Sequence, residues 1–108
     1  MYLDTDILYA LLYENDRHHL LAVALINSQE TKYSCVATLI ELAFVLKREF
    51  SEQESINFLT KLSNFKITFK DLDKKVIEFS IELRKKYNLS IMNAIHAACA
   101  LLSDKRIA

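Results

Sequence analysis

Apolar positions along the chain change period several times, and each change marks an element. Met1-Tyr2-Leu3 is a short apolar run that stops at Asp4-Thr5-Asp6. The run that resumes at Ile7 is too long and too rich in helix formers to continue the same strand. The reading is strand, acidic switch, helix, with the helix covering Ile7 to Tyr13 and ending near Glu14-Asn15. Asp16 can cap a second helix, Arg17 to about Asn27, where Leu20, Leu21, Ala24 and Leu25 form a broad apolar face. Lys32 to Val36 then reads as a brief strand, with Tyr33 and Val36 its best β-formers.

Helical spacing returns over Thr38 to Phe50, with Leu39, Leu42, Ala43, Leu46 and Phe50 on one side. Ser51-Glu52-Gln53-Glu54 has the form of a capping box and starts a helix through Leu62, with Ile56, Leu59 and Leu62 inward. Phe65 to Phe69 alternates apolar and polar, a third strand. Asp71 is placed to cap a longer helix carrying Leu72, Val76, Phe79 and Leu83 on one face, and Arg84-Lys85-Lys86 complements its C-terminal dipole. Ser90 to Ser103 is a last helix with a face of Ala94, Ile95, Ala97, Ala98 and Leu101. Arg106-Ile107-Ala108 resembles the start of a fourth strand. The order β-α-α-β-α-α-β-α-α-β requires helical crossovers, hence an α/β fold in three layers: a central parallel sheet of about four strands with helices on both faces.

Composition sharpens this picture in three ways. At 108 residues the chain is expected to be one domain, with 52% apolar residues to fill a single core. Fourteen basic side chains balance fourteen acidic ones, so a polyanion held by overall charge is disfavoured and a local patch or a metal would be needed. There is no glycine and no proline. Gly-rich phosphate loops are thereby excluded, and turns fall to Asn15-Asp16, Asn27-Ser28, Asn64 and Asn88. No apolar run approaches the roughly 18 residues of a membrane span, and the N-terminal stretch does not read as a signal peptide. Cys35 and Cys99 have no metal-ligand spacing and read as buried thiols in a reducing cytoplasm.

Candidate chemistry gathers at three helix starts: Asp4 with Asp6, Thr38 with Glu41, and Ser90 with Asn93. The first two follow strands, where a parallel sheet presents its ligand edge. Glu41 falls among Leu39, Ile40, Leu42 and Ala43, an unfavourable place for a carboxylate without a task. Converging oxygen donors suit Mg²⁺, which keeps several waters and assists phosphoryl transfer.

Tyr2-Leu-Asp4-Thr-Asp6-Ile-Leu, Thr38-Leu-Ile-Glu41-Leu and Leu89-Ser-x-x-Asn93-Ala-Ile-His-Ala-Ala together resemble the PIN domain family, nearest to its VapC-like toxin ribonucleases. The resemblance runs from Tyr2 to Ala108. It implies a Mg²⁺- or Mn²⁺-dependent endoribonuclease, a hydrolase of RNA and the toxin of a toxin–antitoxin pair. An RNA substrate, an antitoxin partner, a homodimer and a cytoplasmic location go with that reading. Carried over by position, Asp4, Glu41 and Asn93 would be the catalytic and metal-binding residues, with Thr5, Asp6, Thr38 and Ser90 in support. Two departures stand out. The third acidic position, normally aspartate, is Asn93, whose amide brings no charge. The fourth normally lies beyond a strand beginning like Arg106-Ile107-Ala108, so the expectation is a PIN-like domain over 1–108 lacking its C-terminal strand and last acidic position.

Simpler roles stand beside these. Asp4 and Asp6 could serve only a helix N-terminus, and Asn93, three residues after Ser90, could serve only a cap. His18 and His19 read as surface residues, and His96, about one turn beyond Asn93, as a residue that packs or bonds locally or plays a glancing part at the site. Arg84-Lys85-Lys86 and Lys47-Arg48 read as solvated helix ends. Tyr9, Leu12, Tyr13, Leu20 and Leu21 offer apolar surface for a second copy or an antitoxin. Two other functions compete: a weakened or inactive PIN-like module that binds RNA or protein, and a haloacid-dehalogenase-like phosphatase. The latter's Asp-x-Asp-x-Thr/Val signature fails at Leu8.

Overall fold

The computed structural model describes residues 1–103. Asp104 and the strand expected at Arg106–Ala108 lie outside the described residues. Within them the chain forms six α-helices: α1 Thr5–Leu12, α2 His19–Ile26, α3 Val36–Glu49, α4 Glu52–Thr60, α5 Lys74–Tyr87 and α6 Ile91–Ser103. Strands β1 Lys32–Cys35 and β2 Ile67–Lys70 pair in parallel, with Lys32 opposite Ile67 and Cys35 opposite Lys70.

The sheet is smaller than the four strands expected. Met1 to Leu3 does run parallel to β1, but it pairs through a single bridge between Tyr2 and Tyr33. Two backbone bonds make that bridge, Leu3 N to Tyr33 O at 2.7 Å and Tyr33 N to Met1 O at 2.9 Å. Asp4 ends the segment, because its extended backbone and its side chain already serve as the N-cap of α1. The order of elements otherwise follows the alternation read from the sequence.

Side chains alternate across this narrow sheet and divide the core. Tyr2 enters one cluster with Cys35, Val76, Leu83, Ile95, Ala98 and Cys99, which joins α5 and α6 to the sheet. Leu3 enters another with Leu8, Leu12, Leu42, Leu46 and Leu62, under α1, α3 and α4. Leu8, Leu42 and Leu46 are fully buried, each stabilising the fold by roughly 1.5–3 kcal/mol. Cys35 and Cys99 are buried free thiols in contact with one another, a proximity across 64 residues that their spacing did not suggest.

Local signals were partly misread. Asp73, not Asp71, caps α5, accepting from Val76 N at 3.0 Å. Asp16 accepts from His18 N at 2.8 Å inside the turn and leaves α2 without a side-chain cap. The inward face of α2 is Ala22, Val23 and Ile26, while Leu20 and Leu21 are 82% and 53% exposed. That helix is apolar on every side, so periodicity could not choose its buried face. Ile56 also points outward, because Ser55 is the buried residue of α4, its hydroxyl bonding Ala43 O at 3.1 Å. Tyr9, Leu12 and Tyr13 are not free surface, since Leu12 is buried and the two tyrosines stack toward Phe50. His19 is half-buried, with Nδ1 2.7 Å from Ala10 O.

Among the described residues only Asn88 has a positive φ, 52°, at the C-cap of α5. Asn is the commonest substitute for glycine in that left-handed position. Ser51 caps α4 through Glu54 N at 3.1 Å.

Candidate active site

A cavity of about 290 Å³ opens where Met1–Leu3 and β1 hand over to their helices, and Asp4, Thr5, Asp6, Glu41, Val45, Asn93 and His96 line it. The first turns of α1 and α6 converge there with the middle of α3, which contributes Glu41 and Val45. Such a position, at the carboxyl ends of parallel strands, follows from crossover connections that return each strand in the same direction.

Each side chain is held differently. Asp4 caps α1, its Oδ1 accepting from Ile7 N at 3.1 Å. Burial pushes its carboxyl above the usual carboxylate range; the Ile7 N–H opposes this, and the nearby Asp6 charge adds to it. Asp6 lies exposed in the first turn of α1. Thr5 is buried and donates its hydroxyl to Glu41 Oε1. Glu41 lines the cavity beside the buried face of α3, one turn beyond Thr38 and next to Leu42.

Asn93 and Ser90 sit at the start of α6. Ser90 Oγ accepts from Asn93 N at 3.2 Å, so the cap is made by the serine and the backbone. The Asn93 amide is left to the cavity, without a hydrogen bond among the described residues. Thr38 does not line the cavity. It is buried behind it, with Oγ1 3.3 Å from both Tyr2 OH and His96 Nδ1.

His96 is the residue that sequence reading undervalued. Its Nε2 lies 3.3 Å from Glu41 Oε1, and its Nδ1 lies 2.9 Å from Tyr2 OH. Tyr2 is 1% exposed, and burial raises its phenol well above the ordinary tyrosine value despite the Thr38 hydrogen bond. One signal was available: His96 falls three residues after Asn93, hence on the same helix face. Nothing local announced Tyr2 or Val45.

The cavity presents three carboxylates, and no lysine or arginine lines it. Arg84, Lys85 and Lys86 stand apart on the exposed end of α5, where Lys85 pairs with Glu82 at 3.6 Å. Lys47 pairs with Glu52 at 3.1 Å and Arg48 with Glu49 at 3.5 Å, both exposed.

The PIN domain family model matches residues 1–107. Among solved structures the chain is similar to Mycobacterium tuberculosis VapC20, a Sarcin-Ricin loop cleaving toxin, at 16% identity and TM-score 0.79 over 94% of this chain and 81% of that one. It is similar to a toxin–antitoxin complex from Klebsiella pneumoniae at 23% identity and TM-score 0.71, covering 98% and 82% of the two chains. A third likeness is to VapBC2 from Rickettsia felis, bound to a DNA fragment from its promoter, at 16% identity and TM-score 0.74 over 98% and 83%. At these identities the structural likenesses establish the fold. No curated protein sequence matches the chain.

Proposed function

The chain belongs to the PIN domain family, and from that premise we propose that it is a divalent-metal-dependent endoribonuclease, the toxin of a toxin–antitoxin pair. The observation that carries this reading is the carboxylate-lined cavity at the carboxyl ends of the strands, with Asp4, Asp6 and Glu41 on its wall and no cationic side chain. A phosphodiester entering it would meet only negative charge, so a cation is the natural third party.

The donor set suits Mg²⁺ or Mn²⁺ in kind. All the carboxylate and amide donors are oxygens, and such ions accept one or two carboxylates with waters and phosphate oxygens completing the shell. It is not a closed cage: among the described residues no three His, Cys, Asp or Glu side chains stand close enough to hold an ion between them. Asp4 and Glu41 would hold the ion, with the Asn93 carbonyl as a neutral third donor. When bound, the ion would activate water and offset charge on the phosphate. The chain's own residues do the positioning. Ile7 N–H fixes Asp4, and the Thr5 hydroxyl with His96 Nε2 fixes Glu41 Oε1, leaving Oε2 without a bond among the described residues.

RNA cleavage in Mg²⁺ or Mn²⁺, compared between the wild type and Asp4→Asn, tests the assignment. Equal cleavage by the two proteins would show that the site is elsewhere. A second reading, a weakened enzyme that binds RNA or a partner without cutting, is favoured by one observation: the neutral Asn93 where the cavity needs charge. It predicts no cleavage by the wild type and recovery in Asn93→Asp.

Two of the similar structures are a toxin–antitoxin complex and a VapBC assembly, which supports an antitoxin as partner. Leu20, Leu21, Ile40 and Phe44 are exposed apolar side chains on α2 and α3, surface of the kind that a protein partner or second copy covers. No helix among the described residues is long and apolar enough to cross a membrane, and the cytoplasm, where RNA and antitoxin would be met, is the proposed location.

A further inference from the structure

Glu41 is oriented from outside its own helix. Among the described residues both hydrogen bonds to its carboxylate fall on Oε1, one from Thr5 Oγ1 and one from His96 Nε2 at 3.3 Å. His96 is held in turn, with Nδ1 2.9 Å from Tyr2 OH and Thr38 Oγ1 3.3 Å from each of them. We propose that His96 is a positioning residue, set by Tyr2 in the tautomer that carries its proton on Nε2, so that Glu41 turns Oε2 toward the cation of the cavity. This rests on the reading of that cavity as a cation site.

The hydrogen-bond inventory dictates the tautomer. An ionised carboxylate only accepts, so the nitrogen facing Glu41 must carry the proton. In a neutral imidazole the other nitrogen is then an acceptor and needs a donor, which the Tyr2 phenol supplies at the shorter distance and Thr38 at the longer. Tyr2 is suited to this because the core packs around it. It is 1% exposed, packed with Cys35, Ala98 and Cys99, and meets the His96 ring edge-on at 6.0 Å between centroids. The line Tyr2–His96–Glu41 thus joins the N-terminal segment, α6 and α3, the elements that form the cavity. Orientation matters more here than in a site rich in charge. With Asn93 neutral, Glu41 is one of few carboxylates able to reach an ion, and losing a group that orients a metal ligand commonly weakens binding about tenfold to a hundredfold.

The test uses the full chain in three measurements. Long-range ¹H–¹⁵N correlation spectra of the metal-free protein report which nitrogen of His96 is protonated. Electron paramagnetic resonance titration reports the affinity for Mn²⁺ itself, and circular dichroism melts report folding. We expect the Nε2–H tautomer in the wild type and mixed tautomers in Tyr2→Phe. Mn²⁺ binding should weaken about tenfold in His96→Ala and recover in part in His96→Gln, whose amide can again donate to Glu41. A wild-type His96 protonated on Nδ1 alone, or a folded His96→Ala that binds Mn²⁺ as tightly as the wild type, overturns the proposal. Should the alanine variant fail to fold, Tyr2→Phe decides: unchanged tautomer and unchanged Mn²⁺ affinity overturn it. Asp4→Asn separates the two failures. If it loses Mn²⁺ while His96→Ala does not, the positioning role falls and the cation site stands. If Asp4→Asn binds as the wild type does, the cation site itself falls, and the proposal with it.

Discussion

His96 Nε2 lies 3.3 Å from Glu41 Oε1, a contact made across 55 residues of sequence. It brings α6 against α3 at the cavity wall, and with the Thr5 bond it spends both protein contacts on one oxygen of the carboxylate. Glu41→Gln removes the charge while keeping the shape. The expected result is a fall of at least about tenfold in Mn²⁺ affinity, read by magnetic resonance titration, with a melting temperature close to that of the wild type.

Asp4→Asn should separate stability from function. Asparagine caps helices as well as aspartate does, so the bond to Ile7 N survives in kind. The desolvated charge disappears. Chemical denaturation should show unchanged or increased stability, while Mn²⁺ binding and RNA cleavage are lost.

The pH dependence of the metal-free protein follows from the same carboxyl. Burial raises the Asp4 pKa in the folded state, so between the unfolded and folded values the native protein binds more protons than the unfolded chain. Stability therefore falls as pH rises through that window. The wild type should lose stability relative to Asp4→Asn from the ordinary carboxylate range upward, and reach a constant difference above the folded value. Urea titrations of both proteins across about pH 3.5 to 7.5 measure it; a difference that does not change with pH would contradict the assigned burial.

Asn93→Asp adds charge at a cavity wall and in the first turn of α6, where a carboxylate also favours the helix dipole. The Ser90 cap uses the backbone N–H of residue 93 and is unaffected by the exchange. Mn²⁺ affinity should rise by about tenfold or more, and cleavage should rise with it if RNA is the substrate.

Asn88 stands in the left-handed region at φ 52°, ψ 44°. Asn88→Ala should cost about 1 kcal/mol, because alanine lacks the short polar side chain whose local hydrogen bonding lets asparagine tolerate that conformation, whereas Asn88→Gly, which removes the Cβ, should be neutral or slightly stabilising. Thermal melts distinguish the two, and equal effects would deny the strained backbone.

Much of the fold was legible because local preference and tertiary structure agree along most of the chain. The strand–helix alternation, the Ser51 cap and the inward positions Leu42, Leu46, Val76 and Leu83 were all readable from period and capping chemistry. Reading failed where the local signal was degenerate. The helix His19–Ile26 is apolar all round and gives no preferred face, and Asp71 and Asp73 are equally good caps two residues apart.

At the candidate site, sequence alone singled out Asp4, Glu41 and Asn93, polar residues near strand ends and helix first turns or set among apolar neighbours, and the three line one cavity. Only the tertiary structure decided how they are held. The link from Tyr2 through His96 to Glu41 spans 94 residues between its first two members, and no local pattern encodes it. It exists because a parallel sheet with helical crossovers returns α3 and α6 to the same edge, so that a tyrosine buried for its ring finds a histidine nitrogen waiting for a donor.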